Sequence, residues 1–412
     1  MADVTVLKVL LYGRAIGTLT LLPGERILFA FSQDYIDDPD RPTLSLSFKD
    51  QLGELITDSR PTRTRVPTFF SNLLPEGSMR DYLAERAGVK AKREFFLLWV
   101  LGRDLPGGIT IEPADGGAWP PGEQDDGGGH DQGHDGAETA LRFSLAGVQL
   151  KFSAVMEASG GLTIPAEGVG GSWIVKLPSM KFEGVPENEF AMMTLARMIG
   201  VNVPDVELVD LKAISELPGG IGRLKGSALA IRRFDRTREG GVIHMEDFAQ
   251  VFDVYPERKY ERASYRNIAE VIWAEIGEEG VAAFIRRLVF NVLIGNADMH
   301  LKNWSLVYPD RRHAVLSPGY DFVSTIAYID DENMALSFLK SKSMLDLSID
   351  TLTRFAAKAR LPEKLVLSTG AETVQRFMDV WAAERDHLPL LAEMIDPIDQ
   401  HLGKIELVKE NA

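Results

Sequence analysis

The chain has 412 residues, 45% hydrophobic and 25% charged; this is long for one hydrophobic core and ordinary for two or three domains, and it excludes wholesale disorder or a fibrous repeat. The 45 Lys and Arg against 60 Asp and Glu leave a net charge of −15, which repels a phosphate backbone and speaks against sequence-independent DNA binding by this chain alone. With no cysteine, disulfide scaffolds, thiolate metal sites and cysteine nucleophiles are ruled out, so catalysis must rest on other side chains.

In chain order, residues 5–21 are apolar segments broken at Tyr12-Gly13 and again near Gly17, and the two glycines permit the reversal of a β-hairpin. Residues 66–77 read Val-Pro-Thr-Phe-Phe-Ser-Asn-Leu-Leu-Pro-Glu-Gly, and 78–87 follow with helical character, Tyr82, Leu83 and Ala87 sharing a face. The run 95–101 is a buried helix or strand, which periodicity does not separate. It falls far short of the ~20 apolar residues of a membrane span. Val4, Val6 and Lys8 lack the basic and then apolar pattern of a leader, so a soluble, cytoplasmic protein with no membrane partner is expected.

Between Arg103 and Arg142 there is no Lys or Arg, while Gly, Pro and Asp crowd together. Such a composition buries too little apolar surface to offset its ordering entropy, so 114–140 reads as an acidic, Gly-rich mobile linker or surface loop. His130 and His134 stand among Asp125, Asp126, Asp131 and Asp135, but ligands on so flexible a backbone must be ordered before they bind, and a solvated linker is the favoured reading.

Strands follow at 150–155 and 172–177, then a helix at 188–200 with Ala191, Met192, Leu195 and Ile199 on one stripe and Gly200 as its stop. Further strands at 203–211 and 227–232 complete a sheet flanked by one helix. Beyond Met245 the pattern is mostly helical: 281–294, 345–359, and a core stripe of Val374, Phe377, Met378, Trp381 and Ala382. A small β-rich lobe joined to a larger helical lobe leaves a cleft where ligands commonly bind.

The sharpest chemical signal is Gly295-Asn296-Ala297-Asp298-Met299-His300-Leu301-Lys302-Asn303-Trp304, followed by Tyr320-Asp321-Phe322. Asp298 and Asn303 stand at the Asp-x-x-x-x-Asn interval that in kinase catalytic loops brings a base and a metal ligand to one site, and Asp321 adds a second carboxylate. Phosphoryl transfer needs this set, because Mg²⁺ favours oxygen ligands and the attacking hydroxyl needs an acceptor for its proton. Upstream, Lys176 lies in the apolar strand Ile174-Val175-Lys176-Leu177, where an unpaired ammonium is costly; a phosphate or carboxylate partner is expected, and Glu189 is placed to pair with it. Phe143-Ser144-Leu145-Ala146-Gly147-Val148-Gln149-Leu150-Lys151 is a weak phosphate-loop signal with one glycine, matching neither Walker A nor Gly-x-Gly-x-x-Gly. Backbone N–H groups at Ala146 and Gly147, with Lys151, are nevertheless able to cradle phosphates before the Lys176 strand.

Taken in order, the loop 144–151, Val175-Lys176-Leu177-Pro178, Arg233-Phe234-Asp235-Arg236, the loop 298–303 and Tyr320-Asp321 resemble the motifs of the HipA family of serine/threonine kinase toxins from bacterial toxin-antitoxin pairs. Phe69-Phe70-Ser71-Asn72-Leu73-Leu74-Pro75-Glu76-Gly77 resembles the signature of that family's N-terminal subdomain. The resemblance implies an α+β, two-lobed protein-kinase-like fold with an extra β-rich N-terminal subdomain: 1–113 the head, 114–140 the linker, 141–240 the β-rich lobe and 241–412 the helical lobe. It implies ATP and Mg²⁺ as cofactors. Asp298 would accept the substrate proton, Asn303 and Asp321 would hold the metal, Lys176 would meet the ATP phosphates, and Ala146, Gly147, Val148, Gln149, Leu150 and Lys151 would cover them. Arg232, Arg233 and Phe234 resemble the lobe connector against adenine; His300, Leu301 and Lys302 lie in the nucleotide loop, and Tyr320 would flank the nucleotide. Ser144 resembles the serine such proteins autophosphorylate, where a phosphate adding about −1.5 to −2 charge would repel ATP; a serine making a local backbone hydrogen bond is the plain alternative.

Departures accompany the resemblance. Ala297 precedes Asp298 where most protein kinases have Arg, His300 stands where they have Lys, and no Ala-Pro-Glu anchor follows. The acidic insertion before Ser144 is longer than the family connection would be. The stretch 245–250 and Lys259-Tyr260 resemble the family's segment after the connector, near substrate, with a packed helix entry equally compatible. The pairs Arg286-Arg287 and Arg311-Arg312 read as solvated surface. Three functions remain open. One is a serine/threonine-protein kinase acting on a translation component such as an aminoacyl-tRNA synthetase. Another is a non-catalytic co-repressor that binds a HipB-like helix-turn-helix antitoxin and meets operator DNA through it. The third is a small-molecule phosphotransferase on the same scaffold.

Overall fold

The computed structural model describes residues 5–114, 151–156, 162–163, 171–179, 181–215, 217 and 224–411, without the side chains of Ser78 and Arg86. The acidic segment from 115 to 140, with His130 and His134, lies outside the described residues, as do Ser144 and the loop residues Ala146, Gly147, Val148, Gln149 and Leu150.

The head begins with strands β1 (Val6–Leu11), β2 (Arg14–Leu22) and β3 (Arg26–Phe31), followed by the short helix α1 (Gln33–Ile36) and strand β4 (Thr62–Arg63). Three helices, α2 (Thr68–Ser71), α3 (Gly77–Arg86) and α4 (Glu94–Leu101), lead to β5 (Ile109–Pro113), and the sheet runs β4-β3-β2-β1-β5. The expected hairpin is β1–β2. Its turn is Tyr12-Gly13, with φ of 53° and 77°, the positive pair that a two-residue turn matching strand twist requires. Gly17 is no part of it: it sits inside β2, where an added Cβ would lie 2.3 Å from the Ala30 carbonyl oxygen. Leu7, Val9 and Leu11 alternate inward, and the run that periodicity left open is the helix α4, whose Phe95, Leu97 and Leu98 close the same core.

The β-rich lobe contains β6 (Lys151–Met156), β7 (Leu162–Thr163), β8 (Trp173–Lys176), helix α5 (Val185–Met198), β9 (Val206–Asp210), β10 (Ile214–Ser215) and β11 (Ser227–Arg232), in sheet order β10-β7-β6-β8-β11-β9. Helix α5 starts at Val185, three residues before its expected start, because Pro186 occupies the first turn, where its missing N–H costs nothing. Ala191, Met192, Leu195 and Ile199 are buried as expected. Met79 and Tyr82 from α3 pack with Ala154, Trp173, Val175 and Ala230 of this sheet, while Ala84 from the same helix belongs to the head core. One helix thereby serves two cores.

The third region departs most from expectation. Between β12 (His244–Asp247) and β14 (Val315–Leu316) come helices α6 (Phe248–Val251), α7 (Tyr265–Glu275) and α8 (Glu278–Leu293) and strand β13 (Ser305–Tyr308), with β12, β13 and β14 forming a sheet absent from the helical reading. A second hairpin, β15 (Asn333–Phe338) and β16 (Ser341–Ser343), precedes helices α9 (Ile349–Ala359), α10 (Glu363–Glu384), α11 (Ala392–Leu402) and α12 (Glu406–Glu410). The strand β12, only four residues long and carrying His244, Glu246 and Asp247, lacks an apolar alternation to betray it. The segment 245–250 is half strand and half helix entry: Asp247 and Gln250 form a reciprocal capping box at the start of α6. Val374, Phe377 and Trp381 join the main core beside α8, but Ala382 is exposed. Arg287 is no surface cation either; it is buried in α8, donates to the Ser317 carbonyl, and burial pushes its guanidinium down to about 10. No helix among the described residues is long and apolar enough to cross a membrane.

Candidate active site

Lys176 is the last residue of β8 and is buried. Its Nζ lies 2.5 Å from Glu189 Oε1 on α5 and contacts Asp321 Oδ1 from the opposite lobe. The carboxylate partner expected for this strand lysine is thus present twice. Burial alone would depress the Lys176 ammonium, but Asp321 and Glu189 outweigh it and hold it above its ordinary value. Burial keeps the Glu189 carboxyl above the usual carboxylate range despite Lys176. Burial would also raise Asp321, yet Lys176 and then Lys151 pull its carboxylate down to about 2. Lys151 stands opposite Lys176 in the β6–β8 register, so the two cations share a sheet face.

The loop after α8 is built by short-range bonds. Gly295 turns the chain at φ 63°, where a Cβ would meet Ile326 at 2.6 Å. Asn296 Nδ2 donates to Asn291 Oδ1 (2.9 Å), and its Oδ1 accepts from the Asp298 N–H (3.0 Å). Thr325 Oγ1 donates to the Gly295 carbonyl at 2.9 Å and accepts from the Ala297 N–H at 2.8 Å. Asn303 Nδ2 donates to the Asp298 carbonyl (2.9 Å), which fixes the two ends of the Asp-x-x-x-x-Asn interval against each other and leaves the amide oxygen of Asn303 for another partner. The exposed Asp298 carboxylate accepts from the Tyr260 hydroxyl at 2.5 Å.

Other expected residues divide by where their polar atoms point. Leu301 is fully buried, so only its backbone faces the loop. His300 is 6% exposed, its ring set edge-on to Tyr260 at 5.0 Å, with Nδ1 lacking a partner among the described residues; burial and then Lys259 hold it below its ordinary value. The Lys302 ammonium donates to Asn72 of the head and to Asp247 at the end of β12. The Tyr320 hydroxyl donates to the Lys302 carbonyl at 2.9 Å, and its ring lies 5.5 Å from that of Phe234. In the connector, the N–H groups of Arg232 and Arg233 are taken by the carbonyls of Asp205 and Ser172 at 2.8 and 2.9 Å. The Arg233 guanidinium is buried among Asp104 and Asp235, a knot between head and connector. Sequence reasoning gave no role to Asn296, Thr325 or the head's Asn72, and placed Tyr260 only near substrate; 38 residues separate Tyr260 from Asp298, and no spacing rule links them.

Among the described residues no group of three or more His, Asp or Glu side chains is placed to hold a metal ion. The Asn303 amide oxygen and the Asp321 carboxylate would offer two oxygen donors, a type that suits Mg²⁺ because that ion is commonly held by one or two protein oxygens together with substrate phosphates. The donor chemistry fits the ion.

The head sheet and the cleft correspond to two family models, a HipA N-terminal domain over residues 7–112 and a HipA-like C-terminal domain over 143–381. The chain belongs to the HipA family of kinases. A Sinorhizobium fredii relative named Putative kinase Y4dM is 58% identical over the full length of both chains. A Shewanella oneidensis relative named Serine/threonine-protein kinase toxin HipA is 30% identical, the match covering 82% of this chain and 81% of the relative. In a solved complex of HipA, HipB and operator DNA from Shewanella oneidensis, the matched chain superposes with a TM-score of 0.73 at 24% identity, over 98% of this chain and 99% of that one. The two-lobed, kinase-like α+β architecture with an added β-rich head is therefore the HipA fold.

Proposed function

We propose that this HipA-family protein is an ATP- and Mg²⁺-dependent serine/threonine-protein kinase. The observation that carries the reading is the Lys176–Glu189–Asp321 ion cluster bridging the lobes beside the loop that presents Asp298 and Asn303. Asp298, exposed to the cleft, accepts the proton of a Ser or Thr hydroxyl as that oxygen bonds to the γ-phosphorus and the bond to the β,γ-bridging oxygen of ATP breaks, leaving ADP. Lys176 orients the nucleotide phosphates, with Lys151 beside it on the same face. Asn303 and Asp321 would hold Mg²⁺, which when bound neutralises charge on the β- and γ-phosphates. Tyr320 and Phe234 supply aromatic surface next to the connector.

The finer reading follows the relatives. Ser144, seven residues before β6 in the sequence, is the proposed site of autophosphorylation; the proposed target is a translation component such as an aminoacyl-tRNA synthetase. A HipB-like helix-turn-helix antitoxin is the proposed partner, with operator DNA engaged mainly through that complex, which suits the acidic balance of this chain. Two experiments test this reading. Asp298→Asn should reduce phosphate transfer from labelled ATP by about 10²-fold or more with the fold intact, and undiminished labelling would refute the catalytic assignment. Mass spectrometry after incubation with Mg-ATP should place phosphate on Ser144. Turnover on a metabolite without self-modification would favour the small-molecule phosphotransferase, and operator binding as the sole activity would favour the co-repressor.

A further inference from the structure

Lys302 lies in the loop four residues after Asp298, yet its ammonium is taken up by the head and by β12. It donates to the Asn72 carbonyl (2.8 Å), Asn72 Oδ1 (3.1 Å) and Asp247 Oδ2 (2.9 Å). An ammonium has three N–H donors, so these three acceptors saturate it and leave none for a phosphate. Asn72 is itself fixed: 6% exposed, it donates from Nδ2 to the carbonyls of Thr68 (3.0 Å) and Val254 (2.8 Å). Four residues on, Glu76 places Oε1 3.7 Å from Lys302 and Oε2 2.8 Å from Lys259. The two ammonium groups overcome its burial and hold its carboxyl below the usual range. Lys259 in turn accepts the Leu301 N–H on its carbonyl (3.2 Å) and precedes Tyr260, the residue bonded to Asp298.

We infer that Lys302 is a positioning residue and that the Asn72–Glu76 turn of the head is a brace in cis for the catalytic loop, setting Asp298 and Asn303 from behind rather than contacting nucleotide. The head's signature segment 69–77, which has no part in the chemistry proposed above, acquires a role this way. The catalytic consequence rests on the kinase reading; the mechanical one does not.

The test uses the full chain with Asn72→Ala, Lys302→Met, their double variant, and the milder Glu76→Gln should Asn72→Ala fold poorly. Amide exchange over 296–304 should quicken about tenfold in Asn72→Ala and in Lys302→Met, and no further in the double variant, while exchange over 278–293 stays unchanged. The turnover number should fall about tenfold with the KM for Mg-ATP within about twofold of wild type. Unchanged loop exchange in both single variants, or additive effects in the double, would overturn the brace. A rise in the KM for Mg-ATP in Lys302→Met but not in Asn72→Ala would make Lys302 a phosphate ligand instead. Absence of phosphate transfer by the wild-type protein would remove the kinase reading, and the exchange arm would still decide the brace.

Discussion

Two buried ion clusters of similar ingredients, one around Arg233 and one around Lys176, differ in completeness. Around Arg233 all five N–H donors are answered: Nε by Asp235 (2.9 Å), Nη2 by Asp235 (2.8 Å) and the Leu105 carbonyl (3.5 Å), Nη1 by Asp104 (3.0 Å) and Ser153 Oγ (3.4 Å), while Asp235 also receives the Gly107 N–H (2.8 Å) and Arg236. Around Lys176 the cluster is open. Asp321 keeps 31% of its side chain exposed, and among the described residues no hydrogen bond reaches its Oδ2. A saturated cluster has no capacity for a ligand and fastens the head to the lobe connector. An unsaturated one, between two lobes, keeps capacity for a further partner, and that difference is what the proposed kinase role of the Lys176 cluster rests on.

Three experiments break or sharpen this contrast. The largest effect is expected at the open cluster: Asp321→Asn should lower phosphoryl transfer by about 10²- to 10³-fold while shifting the unfolding midpoint little, because the lost charge was partly exposed. Measuring both on one preparation checks the split, and a large stability loss with retained activity would reverse the roles assigned to the two clusters. At the closed cluster, Arg233→Met leaves Asp235 and Asp104 buried without their main cation, so denaturant unfolding should show a loss of about 3–5 kcal/mol, with turnover per folded molecule preserved.

The smallest effect concerns pH at a second head contact. Glu246 is fully buried in β12, accepts from Ser45, the Leu46 N–H (3.0 Å) and the Tyr308 hydroxyl (2.5 Å), and burial, opposed by these bonds, pushes its carboxyl up to about 7. A carboxyl raised on folding favours the native state when protonated. Its contribution is therefore complete at low pH, falls once the unfolded chain ionises near pH 4.5, and is gone above about pH 7. His244 nearby is pushed down to about 4 by burial and loses stability in the opposite sense as pH falls. Subtracting Glu246→Gln from wild type removes that shared term. The difference should change by an amount on the order of 3 kcal/mol between pH 4.5 and 7, and a flat difference would show that Glu246 ionises freely.

How much of this was legible beforehand depends on whether a residue's partner is local. The β1–β2 hairpin, the stripe of α5 and the pairing of Lys176 with Glu189 could be read because strand alternation, helical period and a nearby helix start are short-range properties. The turn itself was misjudged: both glycines looked available for reversal, and only the packing of β2 on β3 shows that Gly17 answers a close backbone approach. Ala382 reads as core because it continues an apolar stripe at i+8, but that position drifts off the face of an ideal helix, and α10 leaves it in solvent. Arg287 was assigned to the surface because a basic pair usually is solvated, and nothing local marks the Ser317 carbonyl that receives it.

By itself, the sequence determined the chemistry available: a cysteine-free chain with a lysine in an apolar strand and with Asp298, Asn303 and Asp321 in kinase order. Only the tertiary structure decided how those groups are used. It turned Lys302 toward the head, closed the Arg233 cluster, left the Asp321 cluster open, and placed the Tyr260 hydroxyl on Asp298. The physical reason is that a side chain's type and local spacing are set along the chain, whereas the saturation of its donors and acceptors depends on groups brought in from 38 to 230 residues away.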